Sequence, residues 1–326
     1  MVLAGTFAGT ALLPMKFGVA WRFENTWLVY SVLAYLCAPW IVAITTVPHL
    51  SEVYGAVGLR TCLVTALFGA GWGLAIVLNG IGVAMVGLSL SSALLMGSSI
   101  ALGSLLPLLL KNENRIGTRE GLLVLTVDLV MLAGVLLCAR AGYLRGRIPT
   151  STNEPARPAT RGILICLAAG LLSTLFNGAL AYGESISREA LARGATGFNS
   201  ANAIWSLAVS AGSVPGVCWC VSRLFKERTW RVFGKHPVRN TSLCVFMALL
   251  WIAGTVLYGA ATGLIGSLGT AIGWPVYMSG IILTSNFWGL VTGEWRGVSR
   301  VPARYMLAGV GVQILAILIL GQTRQW

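Results

Sequence analysis

The chain has 326 residues, 56% of them apolar and only 10% charged, with a mean hydropathy of +0.79. A water-soluble domain carries about a quarter charged residues, so this composition excludes an ordinary soluble domain. Basic residues exceed acidic ones by thirteen, an excess that fits orienting loops at a membrane better than a nucleic-acid surface.

The opening stretch, "MVLAGTFAGTALLPMK", has no positive residue ahead of its apolar run. It therefore reads as a first span rather than a cleaved leader. Apolar runs long enough to cross a hydrocarbon core of about 30 Å then recur. Loop signals divide them into ten expected spans, at 1–19, 27–47, 61–85, 88–110, 121–141, 161–183, 199–222, 241–261, 267–292 and 303–321. No alternating ten-residue strand pattern appears. The expected fold is all-α, a polytopic membrane protein.

Two long polar connections interrupt the spans. Residues 142–160 are rich in Pro, Ser and Thr and read as a linker between two five-span halves, 1–141 and 161–326. Residues 223–240, "RLFKERTWRVFGKHPVRN", alternate basic and aromatic side chains. They read as an interfacial loop with Trp230 and Phe233 at headgroup level. Of the Lys and Arg residues, sixteen fall on connections after odd-numbered spans and seven on the opposite side. The positive side is the cytoplasmic one, so both termini are expected on the outer side of an inner (plasma) membrane. An odd number of spans per half makes the halves enter the membrane in opposite directions.

A repeated phrase supports that division. Trp72, Gly80 and Gly87 recur as Trp251, Gly259 and Gly266 at a constant offset of 179, and Val77 and Leu78 recur as Val256 and Leu257. Asn79 and Tyr258 then hold equivalent places, and Pro39 and Pro215 add a weaker echo. Two five-helix inverted repeats are the construction of secondary transporters that alternate access around a midplane site.

The unusual residues within the spans become candidates for that site. Trp72 and Asn79 are nearly two helical turns apart and share a face, as do Trp251 and Tyr258. A ring beside a hydrogen-bonding group suits a polyhydroxylated ligand, while an interhelical hydrogen bond is the equal alternative for Asn79. Ser173 and Asn177 lie on one face of span 6, and Asn199, Asn202, Trp205 and Ser206 open span 7. Trp274, Tyr277 and Asn286 lie on span 9. The expected substrate-binding set is Trp72, Asn79, Ser173, Asn177, Asn202, Trp205, Trp251, Tyr258 and Trp274. Gly73, Gly80 and Gly87 share another face and are expected to pack helices closely.

Asp128 is the one acid clearly inside a span. An intramembrane acid is costly and reads first as functional, here as a proton carrier, with a plain hydrogen bond to a neighbouring helix as the alternative. Glu184, past the outer end of span 6, is a second proton-coupling candidate whose ordinary reading is a solvated loop residue. Lys16 and Glu24 flank the first turn and offer a gate ion pair or snorkelling side chains. Seven cysteines sit in or beside apolar stretches and two histidines in separate loops, so no metal site or cofactor is expected. No HExxH, GxSxG or paired intramembrane carboxylates occur, which argues against an enzyme.

Seven short stretches in register carry a resemblance over nearly the whole chain: "LPMKF" (13–17), "WRFENTW" (21–27), "APW" (38–40), "LFGAGWG" (67–73), "VGLS" (86–89), "ARAG" (139–142) and "GLVTGEWRG" (289–297). Together they resemble the L-rhamnose–proton symporter family of the drug/metabolite transporter superfamily. The resemblance implies ten helices, two inverted halves and proton-driven uptake of a neutral monosaccharide such as L-rhamnose. The implied partners are a small sugar, a proton and the lipid bilayer, without nucleic acid; oligomeric state is left open. A short N-terminus and Asp128 depart from it. The rival function on the same fold is export of a small amine or other metabolite.

Overall fold

Pro39 shapes the first long helix. Proline has no N–H, so the carbonyl of Tyr35, four residues earlier, loses its α-helical donor. The chain answers with a π turn at Val32–Cys37 between α2 (Phe23–Ser31) and α3 (Ala38–Thr46). Such a turn widens the helix and re-aims the side chains on it.

The computed structural model describes the chain except residues 87, 108–116, 147–158, 267, 294, 297 and 323–326. Gly87 of the repeated phrase and most of the linker 142–160 therefore lie outside the described residues. Those described form helices and no strand. Besides α2 and α3 they are α1 (Val2–Thr10, extended by a 3-10 turn at Leu13–Phe17), α4 (Leu50–Val57), α5 (Leu59–Val86), α6 (Leu88–Gly103) and α7 (Arg119–Gly146). The helix α7 runs on to Gly146 and the next begins at Ala159, so 142–146 and 159–160 of the expected linker are helical. Then come α8 (Ala159–Ser173), α9 (Leu175–Tyr182), α10 (Glu184–Ala192), α11 (Asn202–Lys226), α12 (Pro237–Ile265), α13 (Gly269–Val291) and α14 (Arg300–Gln322).

Seven helical stretches among the described residues are long and apolar enough to cross a membrane, and Val2–Phe17 and Leu94–Pro107 are shorter apolar helices. Their outer surface is what lipid requires. On α7, Leu122, Leu129 and Leu136 recur every seven residues and are each more than half exposed, whereas Val124, Val127, Met131 and Val135 are buried. Helices in lipid gain little from burying leucine, so close backbone contact and hydrogen bonds hold them together.

Glycine supplies that contact at the centre. A Cβ on Gly69 would lie 1.8 Å from the Ala208 carbonyl oxygen, and one on Gly73 2.0 Å from that of Gly212. Gly69 and Gly73 are one turn apart, so α5 and α11 cross backbone against backbone. Gly80, two turns further on, meets nothing within 4 Å. The expectation of one packing face through Gly73 and Gly80 is thus corrected: the helices diverge beyond Gly73, and Gly80 faces a groove.

Short helices pin the bundle end that bears α4 and α10. Tyr54 of α4 donates to the Ala203 carbonyl at 3.0 Å and sits 2.6 Å from Ser206 Oγ on α11. Burial pushes its phenol up to about 12, so it remains a neutral hydrogen-bonding group at neutral pH. Arg193, just past α10, bonds Glu189 at 2.8 Å and pairs with Glu52 of α4.

Candidate functional site: an aromatic centre between the helices

The π turn opened by Pro39 delivers Tyr35 into the middle of the bundle, where its ring lies 5.3 Å from Trp72 of α5 and 4.7 Å from Trp251 of α12. Trp72 and Trp251 stack on each other at 5.9 Å with 24° between their planes. Phe176 of α9 continues the cluster, 5.0 Å from Trp72 and stacked at 4.7 Å on Trp205 of α11. Tyr258, Trp274 and Tyr277 close it: Tyr258 stacks on Tyr277 at 4.6 Å, and Trp274 lies 6.0 Å from both Phe176 and Tyr258. Eight rings from six helical segments meet in one place.

Asn177 ties this cluster to the backbone. It is fully buried; its Nδ2 donates to the carbonyls of Gly103 at 2.8 Å and Thr270 at 3.0 Å, while its Oδ1 accepts from the Tyr258 hydroxyl at 2.5 Å. The Trp274 indole donates to the Ser99 carbonyl at 2.8 Å, and Ser99 Oγ donates to Ser173 Oγ at 3.4 Å. Trp274 lies flat over Gly103, where a Cβ would stand 2.1 Å from the indole nitrogen.

Among the described residues, two buried polar atoms at the start of α11 have no hydrogen-bond partner. Trp205 Nε1 and Asn202 Oδ1 are both buried and unbonded, although Asn202 Nδ2 donates to Thr46 Oγ1 at 3.0 Å. One is a donor and the other an acceptor, three residues apart and so neighbours on one helix face. A buried unsatisfied group costs about 1–3 kcal/mol, and such an orphan in a native fold calls for a reason.

A family model for the L-rhamnose-proton symport protein (RhaT) matches residues 2–324. The chain belongs to this family. It is 26% identical over 316 residues to the L-rhamnose-proton symporter of Citrobacter koseri, covering 94% of this chain and 92% of that protein. The proteins of the same name from Escherichia coli O1:K1 and Salmonella paratyphi B are each 25% identical over the same shares. These relatives are named as transporters, not enzymes.

Seen within the symport-protein family, the expected site residues divide. Trp72, Asn177, Trp205, Trp251, Tyr258 and Trp274 come together in the aromatic centre, with Ser173 and Asn202 at its edge. Asn79 does not join them. It accepts a hydrogen bond from Ser91 of α6 at 2.9 Å, the interhelical bond that was its alternative. Asn286 donates to its own helix at the Ile282 carbonyl, 2.9 Å away.

The acids also separate. Asp128 on α7 is 4% exposed; its carboxyl oxygens accept no close hydrogen bond, and the Ser104 hydroxyl just past α6 is the side chain that faces them, while α7 packs against α6, α13 and α14, behind the rings. Glu184 is half exposed and lies 3.9 Å from Arg188 one turn on, which matches the solvated reading. Among the described residues Lys16 and Glu24 do not pair with each other, which corrects the gate pair. Lys16 Nζ donates to Thr292 Oγ1 at 3.1 Å, while Glu24 is buried and accepts from Thr229 Oγ1 at 2.8 Å.

Tyr35, Phe176 and Tyr277 are central and stand outside the expected set, Tyr277 being noted only as a residue of span 9. Phe176 carries no sequence signal beyond its place beside Asn177. Tyr35 does: it stands four residues before Pro39, on the turn a proline must open.

Proposed function

We propose that this chain is a proton-coupled secondary transporter that imports a neutral monosaccharide, L-rhamnose or a related deoxy sugar, across an inner membrane. The observation that carries the reading is the stacked pair Trp72–Trp251 set beside the orphan donor of Trp205 and the orphan acceptor of Asn202. A deoxy sugar has an apolar C–H and methyl face for the rings and hydroxyls for the two unsatisfied atoms. The symporter names of its relatives support the same substrate class.

The chain works as two inverted halves, 1–141 and 161–326, of five spans each, an architecture of the drug/metabolite type. Helix boundaries support the repeat beyond the sequence phrase. Moving Phe23–Thr46 by 179 residues gives 202–225, against Asn202–Lys226. Moving Leu59–Val86 gives 238–265, against Pro237–Ile265. The left-handed residue His49 ahead of α4 moves onto Arg228, also left-handed and ahead of the 3-10 helix Thr229–Gly234. Exchange of two similar halves opens the centre to either side in turn, with the rings separating to admit the sugar. The basic connections lie inside and both termini outside.

Asp128 takes and releases the coupled proton. It is a buried acid that faces the Ser104 hydroxyl at the end of α6 and lies next to the helices that hold Ser99, Gly103 and Trp274, so its charge state bears on how α6 and α13 pack. Export of an amine would need a carboxylate among the rings to meet the cation; of the two buried acids described, Glu24 bonds Thr229 and Asp128 sits on α7, which packs against α6, α13 and α14. Uptake of labelled L-rhamnose into proteoliposomes under an inward-acid gradient tests the reading. Accumulation that collapses with a protonophore is the expected result. Equilibration without accumulation removes the coupling, and no entry of rhamnose through folded protein removes the substrate.

A further inference from the structure

A groove of about 600 Å³ opens between α5, α8 and α11, well away from the aromatic centre. Gly80 and Ala84 of α5 form its floor, Arg161 and Ile165 of α8 one wall, and Trp219 and Arg223 of α11 the other. The two walls have the same layout. Arg161 is near the start of α8 and Arg223 near the end of α11, so both stand at the rim. One turn deeper on each wall the arginine gives way to an apolar body, Ile165 or Trp219.

The Arg223 guanidinium is held in place. The Arg223 Cζ lies 5.9 Å from the Trp219 ring centroid, and its Nη1 pairs with Glu227 at 3.1 Å, which leaves Nε buried and without a partner. Arg161 has no ion pair among the described residues. Two arginines and the single Glu227 carboxylate leave the rim net positive above an apolar slot, on helices that cross a membrane, which matches a phosphate joined to acyl chains. A free phosphate would leave the slot unfilled. A zwitterionic headgroup would bring its own ammonium against two arginines.

We propose that this groove binds one anionic phospholipid, the phosphate between Arg161 and Arg223 and an acyl chain along Gly80, Ala84 and Ile165. The site depends only on the chain spanning a membrane, not on the transported solute. It places a lipid across α5 and α11, the two helices that cross backbone to backbone at Gly73 and Gly212.

The test is native mass spectrometry of the full chain in mild detergent with dioleoyl phosphatidylglycerol or dioleoyl phosphatidylcholine at equal concentrations. The expected result is preferential retention of phosphatidylglycerol, reduced about tenfold or more in the Arg161→Gln/Arg223→Gln variant. Gly80→Leu is a second, independent probe. A Cβ at Gly80 meets nothing within 4 Å, so leucine fills the floor while both charges stay, and retention falls again. Arg188→Gln, on α10, leaves it unchanged. Equal retention of the two lipids, or full retention of phosphatidylglycerol in both groove variants, overturns the proposal. So does displacement of the lipid by millimolar inorganic phosphate, which would assign the rim to a free anion.

Discussion

Trp72 and Trp251, 179 residues apart in the chain, stack on each other with ring centroids 5.9 Å apart, and Tyr35 stands edge-on to both. Two large rings from α5 and α12 thus meet where the proposed halves face each other. An aromatic pair contributes about 0.5–1.5 kcal/mol beyond the area it buries, and each tryptophan here touches at least two further rings. Trp251→Ala is expected to lower kcat/KM for rhamnose uptake about tenfold or more, and Trp251→Phe to keep most of it. Equal activity of the alanine and phenylalanine variants would remove the ring from substrate recognition.

Asn177 has a different task, since all its polar atoms are already bonded within the protein. Asn177→Leu leaves the Tyr258 hydroxyl without its partner, at about 1–3 kcal/mol for a buried group, and removes the side-chain bonds to the Gly103 and Thr270 carbonyls. The expected outcome is a lower thermal midpoint in detergent. Tyr258→Phe breaks only one of the three bonds and is expected to lower it less. A midpoint unchanged in Asn177→Leu would show that this hydrogen-bond knot does not hold α6, α9, α12 and α13 together.

Trp72, Trp251 and Asn177 mark what was legible in the sequence. Trp72 and Trp251 are found by a repeat, and Asn177 by its four-residue spacing from Ser173, because helical periodicity fixes which residues share a face. Periodicity does not fix which face meets which neighbour. That is why Asn79, on the same face as Trp72 by spacing, bonds Ser91 on α6 instead, and why Phe176 could not be told from any other apolar residue in its span. Tyr35 was within reach, because the missing N–H of Pro39 falls on its carbonyl. Lys16 and Glu24 are close in sequence, yet each finds a partner more than 200 residues away, on α11's following turn or just past α13.

Asp128 and Glu184 call for opposite results. Asp128 is buried with only the Ser104 hydroxyl facing its carboxyl, whereas Glu184 is half exposed near Arg188. Asp128→Asn keeps the shape and removes the titrating group, so rhamnose accumulation against a gradient is expected to stop while exchange of internal for external sugar continues. Glu184→Gln is expected to leave both unchanged. Accumulation persisting in Asp128→Asn would move the coupling elsewhere.

Arg193 joins α10 to α4 through Glu189 and Glu52. Its partner Glu52 is more than half exposed, so the pairing contributes about 1 kcal/mol or less, and Arg193→Gln is expected to leave the thermal midpoint almost unchanged. The geometry matters more than the energy if these two short helices separate during transport. A cysteine pair at positions 52 and 193 is expected to stop uptake when oxidised and to restore it on reduction. Full uptake by the oxidised protein would mean that α4 and α10 move as one.

The two glycines of one phrase separate packing from access. A Cβ at Gly73 would stand 2.0 Å from the Gly212 carbonyl oxygen, backbone that cannot give way without moving α11, whereas Gly80 opens on empty space. Overpacking a close contact costs about 1–3 kcal/mol or more, and in lipid little hydrophobic gain offsets it. Gly73→Leu is therefore expected to lower folded yield and thermal midpoint sharply, and Gly80→Leu to change neither. The same substitution, seven residues apart on one helix, then separates a contact that α5 and α11 need from a position where the helix is free of its neighbours. A midpoint lowered equally by both would mean that α11 follows α5 past Gly73 and closes the groove.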